Sequence, residues 1–224
     1  MTRSRIYESK DKIDDGHHIP TIEAMHPNNL TRINISNCGL EVLGNLPAGL
    51  LDLDCSNNEY VDMTLPEGLR TLICRNNHIK KINNWPPNLK ILDCSMNELT
   101  SVSGLPDGLC VLNCSYNKIV AINDLPASLN KLMCRNNCLE LLTNLPANLT
   151  ALNCENNRLN HLRKLTLRLK RLNCGGNLLK ELTDLPMGPN GKKTGPFTRS
   201  FGGWTIKGLT GLITPLFCPL LLGV

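Results

Sequence analysis

A cysteine returns every 20 residues along most of this chain, at Cys55, Cys74, Cys94, Cys114, Cys134, Cys154 and Cys174, with a single interval of 19. Three residues after each stands an asparagine: Asn58, Asn77, Asn97, Asn117, Asn137, Asn157 and Asn177. Two positions further on comes an apolar residue, Tyr60, Ile79, Leu99, Ile119, Leu139, Leu159 or Leu179. Most units close on Leu-Pro, as at Leu65-Pro66, Leu105-Pro106, Leu125-Pro126 and Leu145-Pro146. An earlier unit, with Ile35 at the cysteine position and Cys38 at the asparagine position, makes eight. Self-similarity at so short a period leaves little choice of architecture. One unit cannot bury its apolar face alone, so the units must stack into a solenoid.

The repeat also accounts for the composition. The 224 residues include 41 Leu and 28 Asn, against two Trp, three Tyr and three Phe. Leucine therefore takes the place of the aromatic anchors that usually fill a core, and every turn uses an asparagine. Eleven cysteines in 224 residues is about five per cent, below the density of a small disulfide scaffold. A net charge of +5 with 19% charged residues excludes a disordered polyelectrolyte and marks no nucleic-acid binder by charge alone.

Written out, the unit is L-P-x-x-L-x-x-L-x-C-x-x-N-x-L-x-x-L-x-x, and across residues 30–186 it resembles the leucine-rich repeat. The 20-residue Leu-Pro variant is similar to the repeats of IpaH- and YopM-like bacterial effectors. Cysteine at an inward position resembles the cysteine ladder of some internalins. Repeats of this type also occur in environmental bacteria and giant viruses, so the resemblance points to a fold rather than to a source.

Local physics leads to the same expectation. Leu72-Ile73-Cys74 alternates inward and outward as a short strand does. Parallel strands about 4.8 Å apart would give eight coils a sheet on the order of 35–40 Å long. The asparagine amide is suited to turning the chain out of each strand and bonding backbone groups of neighbouring coils. Twenty residues per turn, with proline near the return side, leave little room for a helix. The expected fold is a leucine-rich-repeat solenoid of about eight coils. It has a curved parallel sheet on the concave side, an extended or polyproline-like convex side and few or no helices.

Stacked one per coil with parallel side chains, the seven cysteines would keep their Cβ atoms near the strand spacing of about 4.8 Å, beyond the 3.5–4.5 Å that a disulfide prefers. No C-x-x-C pair occurs, and thiols spaced this way cannot surround a metal tetrahedrally. They are expected to be core residues, and so many unpaired thiols suggest a reducing, cytoplasmic compartment. Cys110, Cys138 and Cys218 fall outside the ladder columns. Neither His17, His18 and His26 nor any other constellation indicates a metal or cofactor. The sequons beginning at Asn29, Asn34 and Asn148 are matches to be expected in an asparagine-rich chain.

Residues 1–29 carry many charges and no apolar stretch of the kind a signal peptide needs. They are expected to form a flexible segment and a cap for the solenoid at 30–186. Residues 187–224 form a Gly/Pro-containing apolar tail. Its last part, 208–224, is uncharged but short and proline-broken for a membrane span; a cap, a membrane contact and a disordered end are all open.

Function is expected on the concave face, where solenoids engage protein partners. The candidate contacts are Ile73, Arg75, Asp93, Met96, Asn113, Tyr116, Met133, Arg135, Asn153 and Glu155. A second candidate is the run of cations Arg158, Arg163, Lys164, Arg168, Lys170 and Arg171, which would suit an acidic surface. No phosphate loop or aromatic platform for bases is present, and no nucleophile–base motif of a known hydrolase stands apart from the repeat. The leading expectation is a non-enzymatic protein-binding scaffold, possessing an effector or adaptor role in a host cell if the resemblance extends that far. Two alternatives are a structural component of a particle and a truncated ubiquitin-ligase effector that retains only its recognition repeats. Nothing in the segment after the repeats matches the ligase's catalytic motif.

Overall fold

A computed structural model describes residues 5–8, 30–179 and 205–207. Ten strands form a single parallel sheet in sequence order. They are β1 (Arg5–Glu8), β2 (Leu30–Asn34), β3 (Asp52–Asp54), β4 (Thr71–Ile73), β5 (Ile91–Asp93), β6 (Val111–Asn113), β7 (Lys131–Met133), β8 (Ala151–Asn153), β9 (Arg171–Asn173) and β10 (Thr205–Lys207). β1 pairs with β2 and β10 with β9. The other elements expected in 1–29 and 187–224, including the tail 208–224, lie outside the described residues.

The eight strands from β2 to β9 enclose about seven turns of a solenoid that contains no helix among the described residues. Each central leucine sits opposite its counterpart, Leu53 opposite Leu72, then Leu92, Leu112, Leu132, Leu152 and Leu172. The pleat turns these leucines inward and leaves both flanking residues at least partly in solvent. Further inward columns run through Leu50, Leu69, Leu89, Leu109, Leu129, Leu149 and Leu169, and through Tyr60, Ile79, Leu99, Ile119, Leu139, Leu159 and Leu179. Burial of each leucine stabilises the stack by about 1.5–3 kcal/mol. Each coil touches only its neighbours, so stability accumulates coil by coil.

The asparagines act as the spacing predicts. Asn97 Oδ1 accepts the Ile79 N–H at 3.0 Å, while its Nδ2 donates to the Cys74 carbonyl at 3.0 Å and to the Cys94 carbonyl at 3.1 Å. Asn117, Asn137, Asn157 and Asn177 repeat this bridge between one coil and the one before it. Backbone groups that leave the strand while still buried are thereby paired.

Leu-Pro opens a tight turn just before most of the strands, and Leu165-Thr166 takes its place before β9. The proline carbonyl accepts an N–H three residues on, as in Leu69 to Pro66, Leu109 to Pro106 and Leu129 to Pro126. Proline needs no donor there and its fixed φ suits the turn. Trp85-Pro86 replaces Leu-Pro in one coil, and the buried Trp85 indole donates to the Ser103 carbonyl at 3.0 Å. The one short coil advances 19 residues, from Leu53 to Leu72. Its missing residue falls on the convex stretch between Tyr60 and Leu65, where other coils carry one more, so neither sheet nor asparagine ladder is displaced.

Candidate binding face

The seven ladder cysteines are free and buried to within 1% of complete exclusion from solvent. Loss of solvation opposes their ionisation and pushes the thiols of Cys55 and Cys114 up to about 12 and that of Cys174 up to about 11. Burial raises Cys74, Cys94, Cys134 and Cys154 as well. These groups are packed and unreactive. Cys38 occupies an asparagine position, its N–H donating to Asn58 Oδ1 at 3.0 Å. Cys110 and Cys138 are half-buried. Among the described residues, no three His, Cys, Asp or Glu side chains gather as metal ligands would, and no helix is long and apolar enough to cross a membrane.

Four columns face outward along the sheet. The second contains Ile73, Asp93, Asn113, Met133 and Asn153; the third contains Arg75, Arg135 and Glu155, with Ser95 and Ser115 buried between them. The residues named from sequence in these columns are all at least partly exposed. Asp93 Oδ1 caps its own turn by accepting Ser95 N–H at 3.0 Å and Ser95 Oγ–H at 2.6 Å, while Oδ2 accepts from Asn113 at 3.1 Å. Asp54 holds Ser56 in the same way. Glu155 accepts from Asn173 at 3.1 Å. The first column, Asp52, Thr71, Ile91, Val111, Lys131, Ala151 and Arg171, is missing from the concave-face candidates, with only Arg171 named, as part of the basic run, although strand alternation points to it. It places the exposed Ile91 next to Val111.

The fourth column has a distinct backbone. Asn57, Asn76, Met96, Tyr116, Asn136 and Asn156 all have φ between 53 and 56°, and Gly176 follows at 64°. Asparagine and glycine tolerate this left-handed conformation, whereas other side chains pay about 1–2 kcal/mol for it. The conformation is dictated by the exit from the strand, so every coil must adopt it. Met96 and Tyr116 are the exceptions in residue type. They are adjacent, 49% and 41% exposed, and the guanidinium of Arg135 lies 4.7 Å from the Tyr116 ring centroid. Around them the asparagines bond one another, Asn76 to Asn57 and Asn156 to Asn136, both at 3.1 Å.

The cations of the second candidate are all exposed but follow the chain around the coil. Arg158 follows the β8 turn, Arg163 and Lys164 lie on the convex stretch, Arg168 is in the turn before β9, and Arg171 is in β9. Lys164 itself has φ 53°, in register with Gly104, Asp124 and Asn144 ahead of the Leu-Pro position.

No protein-family model matches the chain, and no curated protein is similar to it in sequence. Solved structures do match. YopM of Yersinia enterocolitica WA-314 is 32% identical with a TM-score of 0.59, over 71% of this chain and 40% of that one. YopM of Yersinia pestis, a leucine-rich effector protein, is 34% identical with a TM-score of 0.63, over 66% of this chain and 44% of that one. The leucine-rich-repeat domain of a Shigella effector is 28% identical with a TM-score of 0.62, over 67% and 71%. The chain thus spans less than half the length of the two YopM structures. With the parallel sheet, the paired ladders and the 20-residue coil, this protein is a leucine-rich-repeat solenoid whose Leu-Pro unit is similar to that of these bacterial effectors.

Proposed function

We propose that the protein is a non-enzymatic scaffold that binds a protein partner through the concave face between β4 and β7. The observation that carries this reading is the pair Met96 and Tyr116. Both hold an exposed, bulky side chain on backbone that favours asparagine or glycine. Strain of this kind is retained where a side chain serves a contact, and Tyr and Arg are the residues most enriched in binding hot spots. A role as an effector or adaptor in the cytosol of a host cell is supported by likeness to the Yersinia and Shigella effectors. The stack of unpaired thiols supports a reducing compartment.

An affinity pull-down from host or source lysate, comparing wild type with a Tyr116→Ala, Arg135→Glu double variant, tests the face directly. Partners retained by the wild type are expected to fall at least about tenfold with the variant, since loss of two hot-spot residues commonly costs more than 1.4 kcal/mol. Equal recovery would refute the reading. Protection of the ladder thiols from iodoacetamide in both proteins confirms that the variant remains folded.

A further inference from the structure

The charge pattern on this face specifies the chemistry of its partner, and the inference rests on the reading above. The outward strand and turn positions from β4 to β7 carry Arg75, Lys131 and Arg135 against one carboxylate, Asp93. That carboxylate is already engaged, with Oδ1 on Ser95 and Oδ2 on Asn113. At either side Asp54 holds Ser56 and Glu155 accepts from Asn173, so these acids too are occupied within the solenoid. None of Arg75, Lys131 and Arg135 forms an ion pair among the described residues; Arg135 makes its contact with the Tyr116 ring. The acids serve the fold and the bases are left for a ligand.

We propose that the face takes an acidic, extended peptide segment laid across the strands, with two carboxylates reaching Arg75 and Arg135 and an apolar side chain between them on Met96 and Tyr116. Arg75 and Arg135 follow β4 and β7, three strand spacings or about 14 Å apart. An extended chain advances about 3.3 Å per residue, so the carboxylates fall about four residues apart. Bidentate guanidinium–carboxylate pairing supplies orientation, and the exposed Met96 and Tyr116 supply apolar contact. A nucleic-acid strand fits less well. Its closely spaced phosphates would have to pass Asp93 between the two arginines and Glu155 just beyond Arg135, each repelling the strand.

Selection of random dodecapeptides from a displayed library on the full chain tests this. Enriched sequences are expected to share two Asp or Glu residues about four positions apart around an apolar residue. The Arg75→Glu, Arg135→Glu double variant should bind them at least about tenfold more weakly and select basic peptides in their place. Enrichment of peptides without acidic pairs, no enrichment at all, or tighter binding of a labelled oligodeoxythymidine at the same salt would each overturn the acidic partner. If neutral peptides are selected and are lost on Tyr116→Ala, the docking face stands and only its partner chemistry is wrong. If no selected peptide depends on Tyr116 or Met96, both readings fall.

Discussion

The two sides of the same strands obey different rules. Inward, Leu72, Leu92, Leu112 and Leu132 are the same residue at successive levels, and Cys74, Cys94, Cys114 and Cys134 follow them. Outward, the corresponding positions read Ile73, Asp93, Asn113 and Met133. An inward side chain packs against copies of itself above and below, so its size is fixed by its own repetition. An outward side chain meets solvent and is free to differ. Uniformity is therefore the mark of stacking, and departure from it is where a partner can be recognised. The fourth column shares both characters, since its backbone is as uniform as the core while two of its side chains break the pattern.

The largest effect is expected on the inner side, from alkali. A thiol ordinarily ionises near 9.0, and burial raises Cys55 and Cys114 to about 12. A raised value in the folded state means the protonated thiol stabilises the fold. That stability is complete below about pH 9 and is lost as pH climbs toward the folded values. Each thiol contributes a slope of about 1.4 kcal/mol per pH unit, so seven together remove several kcal/mol by roughly pH 10, a large part of a domain's stability. Circular dichroism melts from neutral pH to roughly pH 10.5 should show a steep fall in Tm. A flat profile would break the assignment of these residues to the core.

Next comes Asn117→Ala. It removes the acceptor for the Leu99 N–H and the donor to the Cys94 and Cys114 carbonyls. Leaving these buried groups unpaired should cost on the order of 3–5 kcal/mol, read as a lower denaturant midpoint. A loss below about 1 kcal/mol would mean the ladder is replaceable by water.

The third measurement concerns a hydroxyl buried in one of the inner apolar columns. Tyr60 is fully buried and its hydroxyl has no hydrogen-bond partner among the described residues. Tyr60→Phe should gain about 1–2 kcal/mol, and a destabilised variant would show that the hydroxyl is satisfied. Smallest is the outward test. Met96→Asn relieves the left-handed strain and should gain about 1 kcal/mol while weakening peptide capture. Unchanged stability would remove the case for strain at this position.

Much of this was legible in the residues themselves. The inner columns were legible because repetition displays each constraint many times over, so the Cys and Asn ladders and the parallel strands follow from spacing alone. The outer face was less so. Asn57, Asn76, Asn136 and Asn156 read simply as a polar column, yet their preference for left-handed backbone was the available sign that Met96 and Tyr116 sit under strain. Ile91 and Val111 do not stand out in the sequence, because an apolar residue beside an inward leucine reads as easily as core. The cations from Arg158 to Arg171 looked like one patch because they are close in sequence, but a coil travels through every side of the solenoid within 20 residues.

The 19-residue coil shows which part of the unit is free to change length. Between Leu53 and Leu72 a residue has been lost without shifting a strand or an asparagine. Single-residue insertions and deletions are thus tolerated on the convex side, whereas on the concave side one would invert the outward columns. Gene-level variation in such a chain therefore has two grain sizes. Small length changes alter only the back, and duplication or loss of a whole coil is the route by which the front can be re-spelled.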